Sequence, residues 1–286
     1  MNTTLASSTV SSTGTSSGFA AGRPLVTRTR QSDLAAVPAA IRSEWIKFRS
    51  LRSNRALAAL VVVAGVLMSW ILATFVKTDP YDHKPFTVAG SFMVSSWLTM
   101  VLVIIAGVLL FTSEVQFGTI ANTIAAQPAR WVSVTAKAIV AAAFGLVMGI
   151  AGVVAGFGSA MASGMHMGNT AGLSATAAWC LVLTTFAGIL GLGIGMIIRH
   201  SAAAVSATLV WAFVIENLIR NMAPARISRF LPFSAANGLL TIRSAGDTAK
   251  TIAVHLSRPQ DALLYGAYTI IAITIGTVLL YRRDAH

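Results

Sequence analysis

The stretch that decides the fold is VAGSFMVSSWLTMVLVIIAGVLLF, residues Val88–Phe111, which runs for 24 residues without a charge. A helix needs about 20 apolar residues to cross the roughly 30 Å hydrocarbon core of a bilayer. A helix at the surface of a soluble protein would carry charged residues along its water-facing side, and this run has none. The stretch therefore predicts a membrane-spanning helix.

Five further apolar runs of similar length lie on either side of it. The chain has 21 Lys and Arg and 9 Asp and Glu, and only two of these 30 residues, Glu216 and Arg220, fall within the six runs. Because the runs make up nearly half of the chain, this exclusion of charge predicts an all-α polytopic membrane protein with six transmembrane helices. The other five runs are residues 56–76, 138–161, 174–198, 202–222 and 262–281.

The overall composition excludes an ordinary soluble protein. Hydrophobic residues make up 55% of the chain, charged residues 10%, and the mean hydropathy is +0.74, whereas soluble domains are about 25% charged. The net charge of +12 does not indicate a nucleic-acid partner, since the basic residues are spread along an apolar chain rather than clustered on a water-facing surface.

The distribution of basic residues predicts the orientation. An even number of spans places both termini on one side, and if that side is the cytoplasm, 13 of the 21 basic residues lie inside and 8 outside. Lys and Arg accumulate on cytoplasmic segments. We therefore expect a multi-pass protein of the cytoplasmic (inner) membrane with both termini in the cytoplasm.

The chain before the first span divides into two parts. Residues 1–40 begin with an uncharged stretch rich in Ser, Thr and Gly and then become basic, which predicts a disordered tail rather than a signal peptide. Residues 41–55, IRSEWIKFRSLRSNR, alternate apolar and basic positions at helical spacing, which predicts an amphipathic interfacial helix. The alternative is a plain basic flank of the first span. The residues that define the predicted helix are Arg42, Glu44, Trp45, Lys47 and Phe48.

The loop after the second span, SEVQFGTIANTIAAQPAR at 113–130, contains a single acidic residue, Glu114. This carboxylate could pair with Arg49 or Lys137, or it could cap a helix N-terminus. Between Gly118 and Pro128 the spacing of apolar residues predicts a short amphipathic helix that either docks on a cytoplasmic partner or serves only as a connector.

Two features are predicted on the outer side. Glu216 and Arg220 stand four residues apart, so that one helix face holds both, and the pair is a structural ion pair, a substrate contact or a proton-handling site. The segment 223–261 that follows is too apolar for a free loop, and Pro232 and Gly238 interrupt it. We expect a re-entrant or interfacial element that covers the outer end of the bundle.

Several spans carry glycines four residues apart. Small residues at this spacing let helix backbones approach closely in lipid, within the bundle or across a dimer. The alternative is that the pairs only reflect the high frequency of glycine in membrane helices. The pairs are Gly145 with Gly149, Gly152 with Gly156, and Gly191 with Gly195. The single cysteine, Cys180, lies in an apolar run and is expected to be a small buried hydrophobe.

No catalytic constellation is visible in the sequence. The chain contains no GxxxxGK[ST] phosphate-binding motif, no HExxH and no cluster of His and Cys. We therefore predict that the chain is not an enzyme and holds no cofactor or metal of its own.

The layout resembles the permease subunit of an ABC exporter of the ABC-type-2 class, from about Ile41 to Arg283. The features that carry this resemblance are an amphipathic segment before the first span, a TSE…GT…P.R loop with a following lysine after the second span, and a Leu-Pro element before the last span. Their residues are Glu44, Trp45, Lys47, Glu114, Gly118, Thr119, Pro128, Arg130, Lys137, Leu231 and Pro232.

The resemblance implies that the loop after the second span forms a coupling helix on a separate ATP-binding subunit, which holds ATP and Mg, and that the N-terminal helix contacts the same subunit. It also implies a homo- or heterodimer of permeases that exports its substrate. The residues alone leave open a six-span secondary transporter, which as a proton-driven carrier would need Glu216, or a membrane assembly protein without an ATPase. By resemblance, the coupling residues are Glu114, Phe117, Gly118, Thr119, Pro128 and Arg130.

Overall fold

A computed structural model describes residues 33–50, 52–75, 87–119, 129–165, 172–241 and 256–283. Its secondary-structure elements in these ranges are helices. They are α1 Asp33–Ser50, α2 Arg52–Phe75, α3 Val88–Gln116, α4 Arg130–Ala162, α5 Leu173–Ile198, α6 Ser201–Met222, α7 Ala225–Ser228, α8 Pro232–Leu240 and α9 Arg258–Arg283.

Six of these helices, α2, α3, α4, α5, α6 and α9, are long and apolar enough to cross a membrane. The predicted all-α fold with six transmembrane helices is thereby confirmed. The protein is a multi-pass membrane protein.

The helix ends differ from those of the apolar runs. The helix before the first span begins at Asp33 rather than at Ile41. Helix α3 continues to Gln116, past Phe111, and α4 begins at Arg130, before the run that starts at residue 138. The reason is that apolar composition marks only the part of a helix that lies in hydrocarbon, whereas the backbone hydrogen bonds continue until a cap or turn ends them.

The centre of the bundle is formed by α3, α4 and α5, because glycines allow these helices to touch backbone to backbone. A side chain at Gly145 would collide with the backbone oxygen of Thr184, and one at Gly191 would collide with that of Ile104. Since a Cβ atom cannot occupy these places, only glycine permits the observed packing.

The four remaining glycines of the predicted pairs also lie in close contacts between helices, three of them against side chains and Gly195 against backbone. Gly149 lies against α5, Gly152 and Gly156 lie against α3, and Gly195 lies against Val108 of α3. The predicted close packing is confirmed for all three pairs, and it occurs within the bundle. Cys180 is buried in the same region, as expected.

The other helices surround this centre. Helix α2 packs on α3 and α4, α1 packs on α4, and α9 packs on α5. The short helix α8 packs against α9, α5 and α3. One end of the bundle, here called the basic end, is where α1, α3, α5 and α9 finish and α2, α4 and α6 begin. The described residues of the predicted cytoplasmic side lie there, among them Lys47, Arg130 and Arg283.

Candidate functional site

Four side chains from three helices form one ion-pair network at the basic end, here called the charge cluster. Lys137 of α4 donates to Glu44 of α1 at 2.6 Å and to Glu114 of α3 at 2.7 Å. Lys47 of α1 donates to the same two carboxylates, at 2.9 Å and 3.4 Å respectively. The network therefore links α1, α3 and α4.

The charge cluster is mostly shielded from solvent. The Lys137 side chain is 4% exposed and the Glu44 side chain 5%. A buried charge is tolerated when it is paired and hydrogen-bonded, and here two ammonium groups face two carboxylates, so that the cluster is formally neutral. Burial alone would lower the pKa of Lys47, but the hydrogen bond and the charge of Glu44, together with the charge of Glu114, outweigh it and raise this pKa.

Aromatic packing strengthens the contact between α1 and α4. The rings of Phe48 and Phe144 meet edge to face with their centroids 4.7 Å apart, and Phe48 is buried. The other side of α1 stays open, since Trp45 and Ile46 are exposed. Helix α1 is thus half-buried, with Glu44 and Phe48 directed to the bundle.

Helix α3 ends in a tight turn directly beside the charge cluster. The Thr119 N–H donates to the Glu114 carbonyl at 2.9 Å, and the Gly118 N–H donates to the Val115 carbonyl at 3.2 Å, which is the Schellman arrangement. Gly118 has a φ of +67°, a conformation that glycine adopts without strain. The turn leaves Phe117 71% exposed, so an aromatic ring projects from the end of the helix that carries Glu114.

Three more contacts tie the helix ends at the basic end together. The Arg130 guanidinium donates to the carbonyls of Leu280 and Tyr281 at 3.3 Å each, at the C-terminus of α9. Arg283 donates to the carbonyl of Ile197 at the end of α5, at 3.0 Å. Guanidinium groups at these positions satisfy carbonyls that a helix C-terminus leaves without partners and interact favourably with its dipole.

The sequence left three roles open for Glu114: a pair with Arg49, a pair with Lys137, or a helix cap. In the structure its carboxylate pairs with Lys137. The role of Glu44 was missed. The available signal was that Glu44 is the single acid in the basic segment 41–55, which indicates a partner elsewhere. Pro128 and the predicted coupling helix from residue 120 onward lie outside the described residues.

At the opposite end of the bundle, Glu216 has a role that the sequence did not suggest. Its carboxylate accepts the backbone N–H of Phe233 at 3.0 Å and that of Ser234, and thus caps the N-terminus of α8. Within the described part of the chain, Glu216 makes no ion pair with Arg220 within 4.0 Å, although the two interact electrostatically. The predicted polar pair therefore shares a helix face without forming a direct ion pair.

A turn of π-helix sets the position of Glu216. Residues Trp211–Ile215 form this turn, and the N–H of Glu216 bonds to the carbonyl of Trp211, five residues earlier. The buried residues of α6 before, within and after this turn are spaced four residues apart, at Ala204, Thr208, Ala212 and Glu216. An α-helix would drift away from such a spacing, because it has 3.6 residues per turn. The wider turn is what keeps Glu216 directed inward, beneath α8.

The far end of α8 is held by residues at the start of α9. The Arg258 guanidinium donates to the Thr241 carbonyl at 2.8 Å and to the Thr176 hydroxyl of α5 at 2.7 Å. The Asp261 carboxylate lies against Gly238, where any side chain would collide with it. Helix α8 is thus fixed to α6, α9 and α5.

Six spanning helices, a network of ion pairs at one end and a capped short helix at the other define the class of this protein, a polytopic helical membrane protein. A family model described as ABC-2 family transporter protein matches residues 40–215, and the chain belongs to this family. The resemblance to an ABC-type-2 permease is thereby confirmed. No curated protein sequence matches the chain.

Proposed function

We propose that the chain is the transmembrane permease subunit of an ATP-driven ABC exporter and couples ATP hydrolysis by a separate subunit to substrate movement. The observation that carries this proposal is the charge cluster, which lies directly beside the exposed ring of Phe117 at the basic end. Family membership supports it, because the family consists of ABC-type transporter proteins. ATP and Mg are bound by the partner subunit.

The described residues support docking of the ATP-binding subunit at the basic end. Phe117 projects from the Schellman turn, and α1, which ends at the same end of the bundle, exposes Trp45 and Ile46. Exposed aromatic and apolar side chains on a polar surface favour contact with another protein. The partner would therefore contact two helices at once, the end of α3 and the outer side of α1.

The charge cluster supplies a physical route for coupling. A displacement of the Phe117 turn moves the last turn of α3, which carries Glu114. Because Lys137 bridges Glu114 and Glu44, α4 and α1 must follow or the buried charges lose their partners. Packed helices shift as rigid elements, so that the ATP-driven closure of two partner subunits would move two permease copies between inward and outward access.

The experiment is co-expression with any P-loop ATPase that a neighbouring reading frame encodes, followed by purification in detergent and an ATPase assay. The proposal expects a stable complex in which ATP hydrolysis depends on the permease. Phe117→Ala should weaken the complex or uncouple hydrolysis while leaving membrane insertion and folding intact, since the ring is exposed. A permease that neither binds nor stimulates any P-loop ATPase would contradict the proposal.

The matched control is Phe75→Ala. Phe75 is 73% exposed and lies at the end of α2 that is far from the basic end. The substitution Phe75→Ala should therefore have no effect on complex formation. Equal effects of the two substitutions would show that the loss comes from general destabilisation and not from a partner contact at Phe117.

The proposed orientation places both termini in the cytoplasm and the protein in the inner membrane. The predominance of basic residues on that side supports it. The alternative of a proton-driven secondary transporter gains no support from Glu216, because both of its carboxylate oxygens accept backbone hydrogen bonds from α8.

A further inference from the structure

A cavity of about 260 Å³ lies between α3, α6 and α8 at the end of the bundle opposite the charge cluster. Its walls combine polar and apolar side chains. The two charged residues of the six apolar runs, Glu216 and Arg220, both line it, although the membrane interior disfavours charge. The other lining residues that matter here are Met93, Trp97, Asn217 and Asn237.

The electrostatic balance of the cavity is positive. The charge of Glu216 is offset by the two N–H groups of α8 and by the N-terminus of that helix, which carries about +0.5 charge. Arg220 lines the cavity, and among the described residues it has no hydrogen-bond or ion-pair partner. Its guanidinium therefore faces the cavity with its donors available.

The apolar wall leads from this charge toward the outside of the bundle. Met93 and Trp97 of α3 form the wall, and the Trp97 ring packs edge to face on Phe213 of α6 at 4.8 Å. Phe213 is half-exposed on the outer surface of α6, where lipid would lie. A molecule with an anionic head and an apolar tail matches both parts of this surface.

We infer that this cavity binds the anionic head of an amphiphile, with Arg220 contacting the head and Met93 and Trp97 contacting the beginning of its tail. Guanidinium groups bind phosphate and carboxylate by paired hydrogen bonds, and the amides of Asn217 and Asn237 can bind polar groups of the same head. The volume suits a head group with a few methylenes rather than a whole lipid. The inference rests on the proposed function only for the role of this ligand in transport.

The test is thermal unfolding of the full chain, purified without any ATPase in an uncharged detergent, in the presence of dodecyl phosphate. At a concentration 100-fold above its dissociation constant, the probe should raise the unfolding midpoint by about 5 °C. Dodecyltrimethylammonium, which has the same tail and the opposite charge, should not raise the midpoint. Equal protection by both probes would overturn the inference.

Variants assign the effect to the cavity. Arg220→Gln should abolish protection by dodecyl phosphate, and Arg220→Lys should retain part of it. The matched control is Arg226→Gln on the neighbouring helix α7, outside the lining of the cavity, which should retain full protection. Val94→Phe, which fills the cavity without changing a charge, should also reduce protection, so the inference can be tested even if Arg220 variants fold poorly. Protection that survives in both Arg220→Gln and Val94→Phe would overturn the inference.

Two further arms distinguish a bilayer lipid from a free amphiphile. If the ligand is a bilayer lipid, the wild type should have a higher unfolding midpoint than Arg220→Gln in nanodiscs of anionic phosphatidylglycerol. This difference in midpoint should be smaller in nanodiscs of phosphatidylcholine. Protection by dodecyl phosphate within phosphatidylglycerol nanodiscs identifies an exchangeable amphiphile. Because no ATPase is present, failure here leaves the proposed function standing, and failure of ATPase coupling leaves this binding site standing.

Discussion

Among single residues, Lys137 shows most clearly how position determines role. It is the last basic residue before the third apolar run, where a lysine would ordinarily extend its ammonium group to the lipid surface. In the structure it is instead buried between two carboxylates from other helices. Removing one member of such a buried network lowers the free energy of unfolding by more than the intact network adds to it, because the remaining buried charges are left without a partner.

Lys137→Met should therefore lower the free energy of unfolding by about 3–5 kcal/mol, measured by chemical or thermal unfolding in detergent. Lys47→Met serves as the control. The Lys47 side chain is 42% exposed, and solvent screens its ion pairs, so we expect a loss of at most about 1 kcal/mol.

The triple variant Lys137→Met, Glu44→Gln, Glu114→Gln should recover much of the lost stability, because it leaves no unpaired buried charge. If Lys137→Met were no more destabilising than Lys47→Met, the charge cluster would not hold α1, α3 and α4 together.

Glu216 is a second residue whose role follows from its surroundings. The sequence offered an ion pair, a substrate contact or a proton-handling site, and the structure shows a carboxylate that caps a helix. A cap of this kind is normally found close in sequence to the helix that it caps. Glu216 lies 17 residues from Phe233, which is why local patterns could not indicate it.

At the scale of elements, the glycines of α4 decide how closely the third span packs on the second and fourth. Gly145 contacts backbone of α5, whereas Gly158, in the same helix, has nothing within 4 Å of the place where its side chain would be. The two positions are therefore a natural pair for comparison.

Gly145→Val should separate α4 from α5 and lower the unfolding midpoint strongly, because backbone atoms must shift. Gly158→Val should have a small effect, since its side chain would project into open space on the same helix. The comparison requires only midpoints in one detergent. Equal stability of both variants would show that the contact between α4 and α5 does not depend on glycine.

The whole molecule has two ends of different character. At the basic end, α1, α3, α4, α5 and α9 are joined by ion pairs and by guanidinium contacts to carbonyls. At the opposite end, Glu216 and Arg258 fix α8. Among the described residues, both ends are therefore held by direct contacts between helices.

Reporter fusions test the orientation of the whole molecule. Green fluorescent protein and alkaline phosphatase, fused in turn to each terminus, should give fluorescence and no phosphatase activity at both ends, since each reporter is active on one side of the membrane only. Phosphatase activity at both termini would reverse the orientation, and activity at one terminus would contradict an even number of spans.

The sequence by itself determined the number of spanning helices, because lipid excludes charge from about 20 successive residues and this exclusion is visible in one dimension. It also indicated the glycine contacts, since small residues four apart lie on one helix face. Only the tertiary structure decided that Lys137 joins Glu44 and Glu114 and that Glu216 caps α8. These contacts connect residues up to 93 positions apart. Which distant side chains meet depends on how the helices pack and how each is rotated about its axis. The spacing of residues within one helix does not determine either of these.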